Sequence, residues 1–92
     1  TDFNPGSSPS LKMPFVVSLA CIKMKMTAVE AINAATIQGA HALEIQDAVG
    51  SIQVDKKANF IITEPMEHLS FIPYSFGHDW IDQVVLNGQE IR

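Results

Sequence analysis

With 92 residues the chain builds one domain at most, and a chain of that size buries roughly two-thirds or less of the surface its unfolded form exposes. Apolar residues at 47% against charged residues at 17% exclude a disordered polar segment and fit a buried piece of something larger. A net charge of −4, with six Lys and Arg scattered along the chain, leaves no clustered basic face for nucleic acid and no polybasic membrane anchor.

The chain opens on TDFNPGSSP, a stretch without apolar periodicity that reads as an ordered loop through residue 12. In N-P-G-S, Pro5 suits the second position of a type II turn, and Gly6 supplies the positive φ expected at the third. From residue 14 to residue 24 the pattern is almost wholly apolar, with Pro14 acceptable at the first helical position, where its missing N–H has no intrahelical partner to lose. A helix covered on most sides is expected. The apolar run from Met13 to Ile22 holds about ten residues where a bilayer span needs about twenty. Cys21 lies inside that run as a small hydrophobe, and a single cysteine fits a reducing, cytoplasmic compartment. No basic n-region and apolar h-region of a signal peptide precede it. The absence of an initiator Met, together with the motif-like opening, suggests a chain cut from a longer protein.

Thr27-Ala28-Val29-Glu30 reads as a capping box that starts a second helix. Ala28, Ala31, Ile32, Ala35 and Thr36 recur at helical spacing, and their small side chains allow close approach to a neighbour. Gly39 is expected to break this helix, and AHALEI to form a short third one ending before Val49-Gly50. After Gly50 the period changes from 3.6 to 2: SIQV, NFIIT and DWIDQVVL read as strands. Asn87-Gly88 is a strong hairpin signal, since both central positions of a type I′ turn need positive φ. The intervening EPMEHLSFIPYSFGHDW is expected to be a long loop packed on a surface. The class is α/β, helical before Val49 and β after it.

The order TDFNPGS, MTAVEAINAATIQGAHALEI, VGSIQVDKKANFII, PYSFG and VVLNGQEI resembles the C-terminal end of the imidazolonepropionase-type members of the amidohydrolase superfamily. MTAVEAINAAT and VGSIQVDKKANFII are similar to a signature shared by dihydroorotases, deaminases and deacetylases, whereas TDFNPGS with PYSFG carries the narrower likeness. The resemblance implies a metal-dependent (β/α)8 barrel with a small composite β-sandwich. Residues 1–48 would then be the end of the barrel, with the strand-eight loop and closing helices, and residues 49–92 strands of the sandwich.

By the same resemblance, Asp2 is the strand-eight aspartate that ligates the metal and takes a proton from the activated water, both tasks suited to a carboxylate at the C-terminal end of a barrel strand. Asn4, Gly6 and Ser7 line the substrate pocket. Asn4 offers a donor and an acceptor to a planar ring, Gly6 allows close backbone approach and Ser7 adds a hydroxyl. The implied reaction is hydrolysis of 4-imidazolone-5-propanoate to N-formimidoyl-L-glutamate with one zinc or iron ion, the remaining ligands lying upstream of Thr1, and a homodimer is expected. Other readings are another cyclic-amide hydrolase or aminohydrolase of the superfamily, or a β-sandwich module that mediates association and catalyses nothing.

The chain departs from the superfamily pattern at Val54-Asp55-Lys56, where V-G-K is usual, and at Ala58-Asn59-Phe60, where A-D-F is usual, so turn geometry there is in question. His41, His68 and His78 lack the spacing that puts two imidazoles on one helical face. His41 reads as half-buried helix packing, the other two as loop decoration, and Lys56 and Lys57 as solvated turn residues. Phe71, Tyr74, Phe76 and Trp80 are expected to pack the long loop against helices or a second subunit.

Overall fold

The computed structural model describes residues 1–92. Helices α1 (Met13–Lys23), α2 (Ala28–Ala35) and α3 (Ile37–Ala42) precede strand β1 (Phe60–Thr63), the one-turn helix α4 (Phe71–Tyr74), and strands β2 (Ile81–Leu86) and β3 (Gln89–Glu90).

Helix α1 begins with Pro14 in its first turn and ends where Lys25 turns left-handed at φ 57°, so that the N–H groups of Met24 and Met26 both reach the Ala20 carbonyl. The expected capping box is present at α2: the Thr27 hydroxyl accepts from the Glu30 N–H at 3.1 Å, and the Glu30 carboxylate accepts from the Thr27 N–H at 3.1 Å. The bond from the Thr27 backbone N–H, and after it the neighbouring Thr27 side chain, hold the Glu30 carboxyl below the ordinary carboxylate value.

Two helix boundaries differ from expectation. The break falls at Thr36 (φ −122°, ψ −96°), whose hydroxyl donates to the Ile32 carbonyl at 2.7 Å, and Gly39 lies inside α3. Helix α3 stops at Ala42, short of Ile45. Glu44 takes φ 60°, its N–H bonds the His41 carbonyl, and the Ile45 N–H bonds the Ala40 carbonyl. This is a Schellman closure with glutamate in the position glycine usually fills, so the residue type carried no warning of it.

The strands form one antiparallel sheet in the order β1-β2-β3. Phe60 pairs with Val85 and Thr63 with Ile81, the register shifting between Ile62 and Thr63. Asn87 (φ 51°) and Gly88 (φ 78°) make the expected two-residue turn between β2 and β3. SIQV is not a strand. Ile52 and Val54 stand 83% and 92% exposed, and the chain turns where the Lys56 N–H reaches the Gln53 carbonyl.

Both departures from the superfamily pattern have a local account. Asp55 adopts φ 75°, the conformation the usual glycine takes freely and aspartate tolerates better than most residues. Asn59 Oδ1 accepts the Asn87 N–H at 2.8 Å, a role the usual aspartate fills equally well.

The interior is small. Val17, Ala31 and Ala40 are its buried apolar residues, joined by Ser18, where α1 packs on α2 and α2 on α3. Gly50 (φ 98°) brings the turn after α3 so close that a Cβ there would lie 2.7 Å from the Ala40 Cβ. The long loop folds back on α1 through α4: the Phe76 ring lies 5.6 Å from that of Phe15, and Phe71 lies 6.4 Å from Trp80. Tyr74 stays 84% exposed. Elsewhere the apolar surface of α1 is open, with Leu19 and Ile22 both exposed.

Candidate functional site

The opening loop is held by one side chain. Asn4 Oδ1 accepts from the N–H groups of Gly6 (3.0 Å) and Ser7 (2.7 Å) and from the Ser7 hydroxyl (3.2 Å). Asn4 Nδ2 donates to the Asp2 carbonyl at 3.2 Å and lies 3.1 Å from Ser7 Oγ. A backbone bridge between Asn4 and Ser8 closes the turn, with the Asn4 N–H donating to the Ser8 carbonyl at 2.9 Å, and the Ser8 hydroxyl donates to the Thr1 carbonyl at 3.1 Å. An Asx turn therefore replaces the expected type II turn: Gly6 does not take a positive φ, because the asparagine oxygen collects the N–H groups that a backbone turn would have arranged. A Cβ on Gly6 would sit 3.3 Å from Asn4 Oδ1, so close approach rather than dihedral freedom makes glycine suit the position.

Positive φ appears instead at Asp2 (51°). The residue is exposed, and its carbonyl, not its carboxylate, is what the loop binds. None of the loop's hydrogen bonds uses the Asp2 carboxylate. A single hard oxygen donor fits one position of a divalent ion's coordination shell and cannot hold the ion alone. No three His, Cys, Asp or Glu side chains gather anywhere in the chain as a metal set. His41 is exposed on α3, His68 lies beside the Phe71 ring, and His78 Nε2 is 3.3 Å from Glu64 Oε2 with its ring edge-on to Trp80 at 4.7 Å.

The structure thus brings Asp2, Asn4, Gly6 and Ser7 together on one loop. It adds a second polar locus that composition and spacing did not suggest. A cavity of about 450 Å³ opens between the start of α1 and the residues before β2, lined by Lys12, Phe15, Ser18, His78, Asp79 and Arg92 among others. Asp79 Oδ2 pairs with the Arg92 guanidinium at 2.9 Å, and Asp79 Oδ1 accepts the Ile81 N–H at 3.0 Å. The bond from Arg92, then that from Ile81, holds the Asp79 carboxyl below its ordinary value. An Asp two residues before a strand is a weak local hint of the second bond. The partnership with Arg92 crosses a hairpin and leaves no local trace.

The chain matches the amidohydrolase family over residues 6–91. Among curated proteins it is similar to the imidazolonepropionases of Christiangramia forsetii and Flavobacterium johnsoniae, each 58% identical over 91 residues, covering 99% of this chain and 22% of the relative. The imidazolonepropionase of a Geobacillus species is 41% identical over 91 residues, covering 99% of this chain and 21% of that protein. The chain spans about a fifth of the length of these curated relatives.

Proposed function

This chain belongs to the amidohydrolase family, and from that premise we propose that it is the C-terminal part of an imidazolonepropionase, hydrolysing 4-imidazolone-5-propanoate to N-formimidoyl-L-glutamate once joined to the rest of its barrel. The observation that carries the reading is 58% identity over 91 residues to proteins of that name. An exposed, uncommitted Asp2 carboxylate on a self-bonded loop supports it chemically.

A zinc or iron ion, when bound, supplies Lewis acidity to the water and to the ring carbonyl. Asp2 would hold that ion through its carboxylate. As water adds to the carbonyl carbon, Asp2 takes the departing proton and returns it to the ring nitrogen when the C–N bond breaks, so the ring opens without loss of atoms. Asn4, Gly6 and Ser7 border the substrate on the same loop. Residues 1–48 form the end of the barrel, and residues 49–92, with their antiparallel sheet, belong to the small β-sandwich. A homodimer in the cytoplasm completes the proposal. No helix of the chain is long and apolar enough to cross a membrane.

The test uses the full-length, metal-loaded protein. Ring opening of 4-imidazolone-5-propanoate is expected in the wild type, and Asp2→Asn is expected to lower kcat by about 10²–10⁴-fold with an unchanged melting temperature. Normal turnover in that variant removes Asp2 from the chemistry. A metal-loaded wild type that opens a different cyclic amide and not this one returns the assignment to another member of the superfamily.

A further inference from the structure

The cavity of about 450 Å³ beside the start of α1 is polar at both ends and apolar between them. Its buried end carries Ser18, which is 3% exposed. Thr36 bonds its hydroxyl to the carbonyl one turn back, at Ile32, but Ser18 makes no such bond, and no other hydrogen bond of the chain uses its hydroxyl. Buried hydroxyls are nearly always paired, so this one calls for a partner that enters the cavity.

The exposed end carries an excess of positive charge. Lys12, Asp79 and Arg92 all line the cavity and are all exposed. Asp79 is committed to Arg92 at 2.9 Å and to the Ile81 N–H at 3.0 Å. The chain's ion pairs are this one and His78 with Glu64, and neither uses the Lys12 ammonium. A planar guanidinium has more N–H groups than one carboxylate oxygen takes up, so Arg92 has donors to spare beside Lys12. Two cations against one carboxylate suit a single negative charge. Between the two ends lie Phe15, Ile72 and Ile81, an apolar wall for the body of a ligand. The volume falls in the range of small-molecule sites, where a few placed polar groups fix orientation and apolar contact fills the rest.

We propose that this cavity is a binding site for a small monocarboxylate with an apolar body and a hydrogen-bonding group at its far end. The carboxylate meets Lys12 and the spare N–H groups of Arg92 at the mouth, the body lies along Phe15, Ile72 and Ile81, and the far group pairs with the Ser18 hydroxyl at the floor. None of these residues belongs to the opening loop, and the inference is independent of the reaction assigned to it.

The experiment measures dissociation constants by calorimetry with full-length protein, using 4-hydroxybenzoate, benzoate, 4-hydroxybenzamide and inorganic phosphate as probes, on the wild type, Lys12→Met and Ser18→Ala. One 4-hydroxybenzoate per chain is expected, with a Kd of about 1 mM or below. Benzoate, which lacks the far hydroxyl, should bind about two- to tenfold more weakly. The amide and phosphate, which lack the charge or the apolar body, should bind about tenfold or more weakly. Lys12→Met should weaken both acids by about threefold to fivefold. Ser18→Ala should erase the difference between 4-hydroxybenzoate and benzoate while leaving benzoate itself unchanged, an outcome that a merely structural Ser18 would not produce. Absence of 4-hydroxybenzoate binding at several millimolar overturns the proposal, as happens if the rest of the barrel fills the cavity. Binding that neither variant alters lies elsewhere on the protein and overturns it too, and phosphate bound as tightly as the acid overturns the ligand class.

Discussion

The loop of residues 1–8 and helix α1 follow one another in the chain but are stabilised by interactions of different reach. In the loop, hydrogen bonds from Asn4 and Ser8 close over a handful of residues, and the shape is complete within the stretch itself. Helix α1 has its backbone bonds but buries only Val17 and Ser18, leaving Leu19 37% and Ile22 55% exposed. Polar order is thus achieved locally, whereas apolar burial depends on surfaces distant in sequence. A chain with both features holds a finished loop on an unfinished core.

The contrast can be broken most severely by asking the 92 residues to stand alone. The purified chain is expected to show no measurable turnover, no tight zinc binding, strong binding of an apolar dye and elution as an assembly, because one carboxylate is not a ligand set and open apolar patches associate. A monomeric chain that binds no dye shows that α1 needs no further cover.

Next in size is Gly50→Ala, which places a methyl group 2.7 Å from the Ala40 Cβ at a φ of 98°. Overpacking and a strained dihedral together are expected to cost roughly 2–3 kcal/mol, read as a shift in the denaturant midpoint of the full-length protein. An unshifted midpoint means that the contact between the turn and α3 is soft.

The smallest effect sharpens the local side of the contrast. Thr27→Ala removes one half of the capping box and should cost about 1 kcal/mol, visible as roughly fivefold faster amide exchange in the first turn of α2. Glu30 is held below its ordinary value in the folded chain, so its share of stability is present at neutral pH and is lost as pH falls through that lowered pKa. Glu30→Gln is expected to flatten the acid side of the exchange profile, and an unchanged profile removes Glu30 from the cap.

Where local chemistry decides, the sequence is readable. The capping box at Thr27, the strand NFIIT and the Asn87-Gly88 turn all follow from neighbouring residues, and all are present. Where the decision comes from elsewhere, it is not. Glu44 ends α3 in a conformation usually marked by glycine, and Thr36 rather than Gly39 interrupts the helices. SIQV has the alternation of a strand but no pairing partner in the chain, so its Ile52 and Val54 lie open. The loop residues Asp2, Asn4, Gly6 and Ser7 are picked out by resemblance, but their internal bonding is not: an asparagine oxygen collecting two backbone N–H groups looks, in sequence, like any Asn-Pro-Gly turn. The ion pair of Asp79 with Arg92 depends on the hairpin that brings the two together.

The sheet ends at β1, whose outer side has no neighbouring strand while Ile61 and Ile62 stand partly open to solvent. Within these 92 residues such a border can accept an added strand, whether from the rest of the β-sandwich or from a stray peptide. The register slip between Ile62 and Thr63, with Glu64 and Pro65 directly after, shortens the inviting length to about three residues, too few for an intruder to gain a lasting grip.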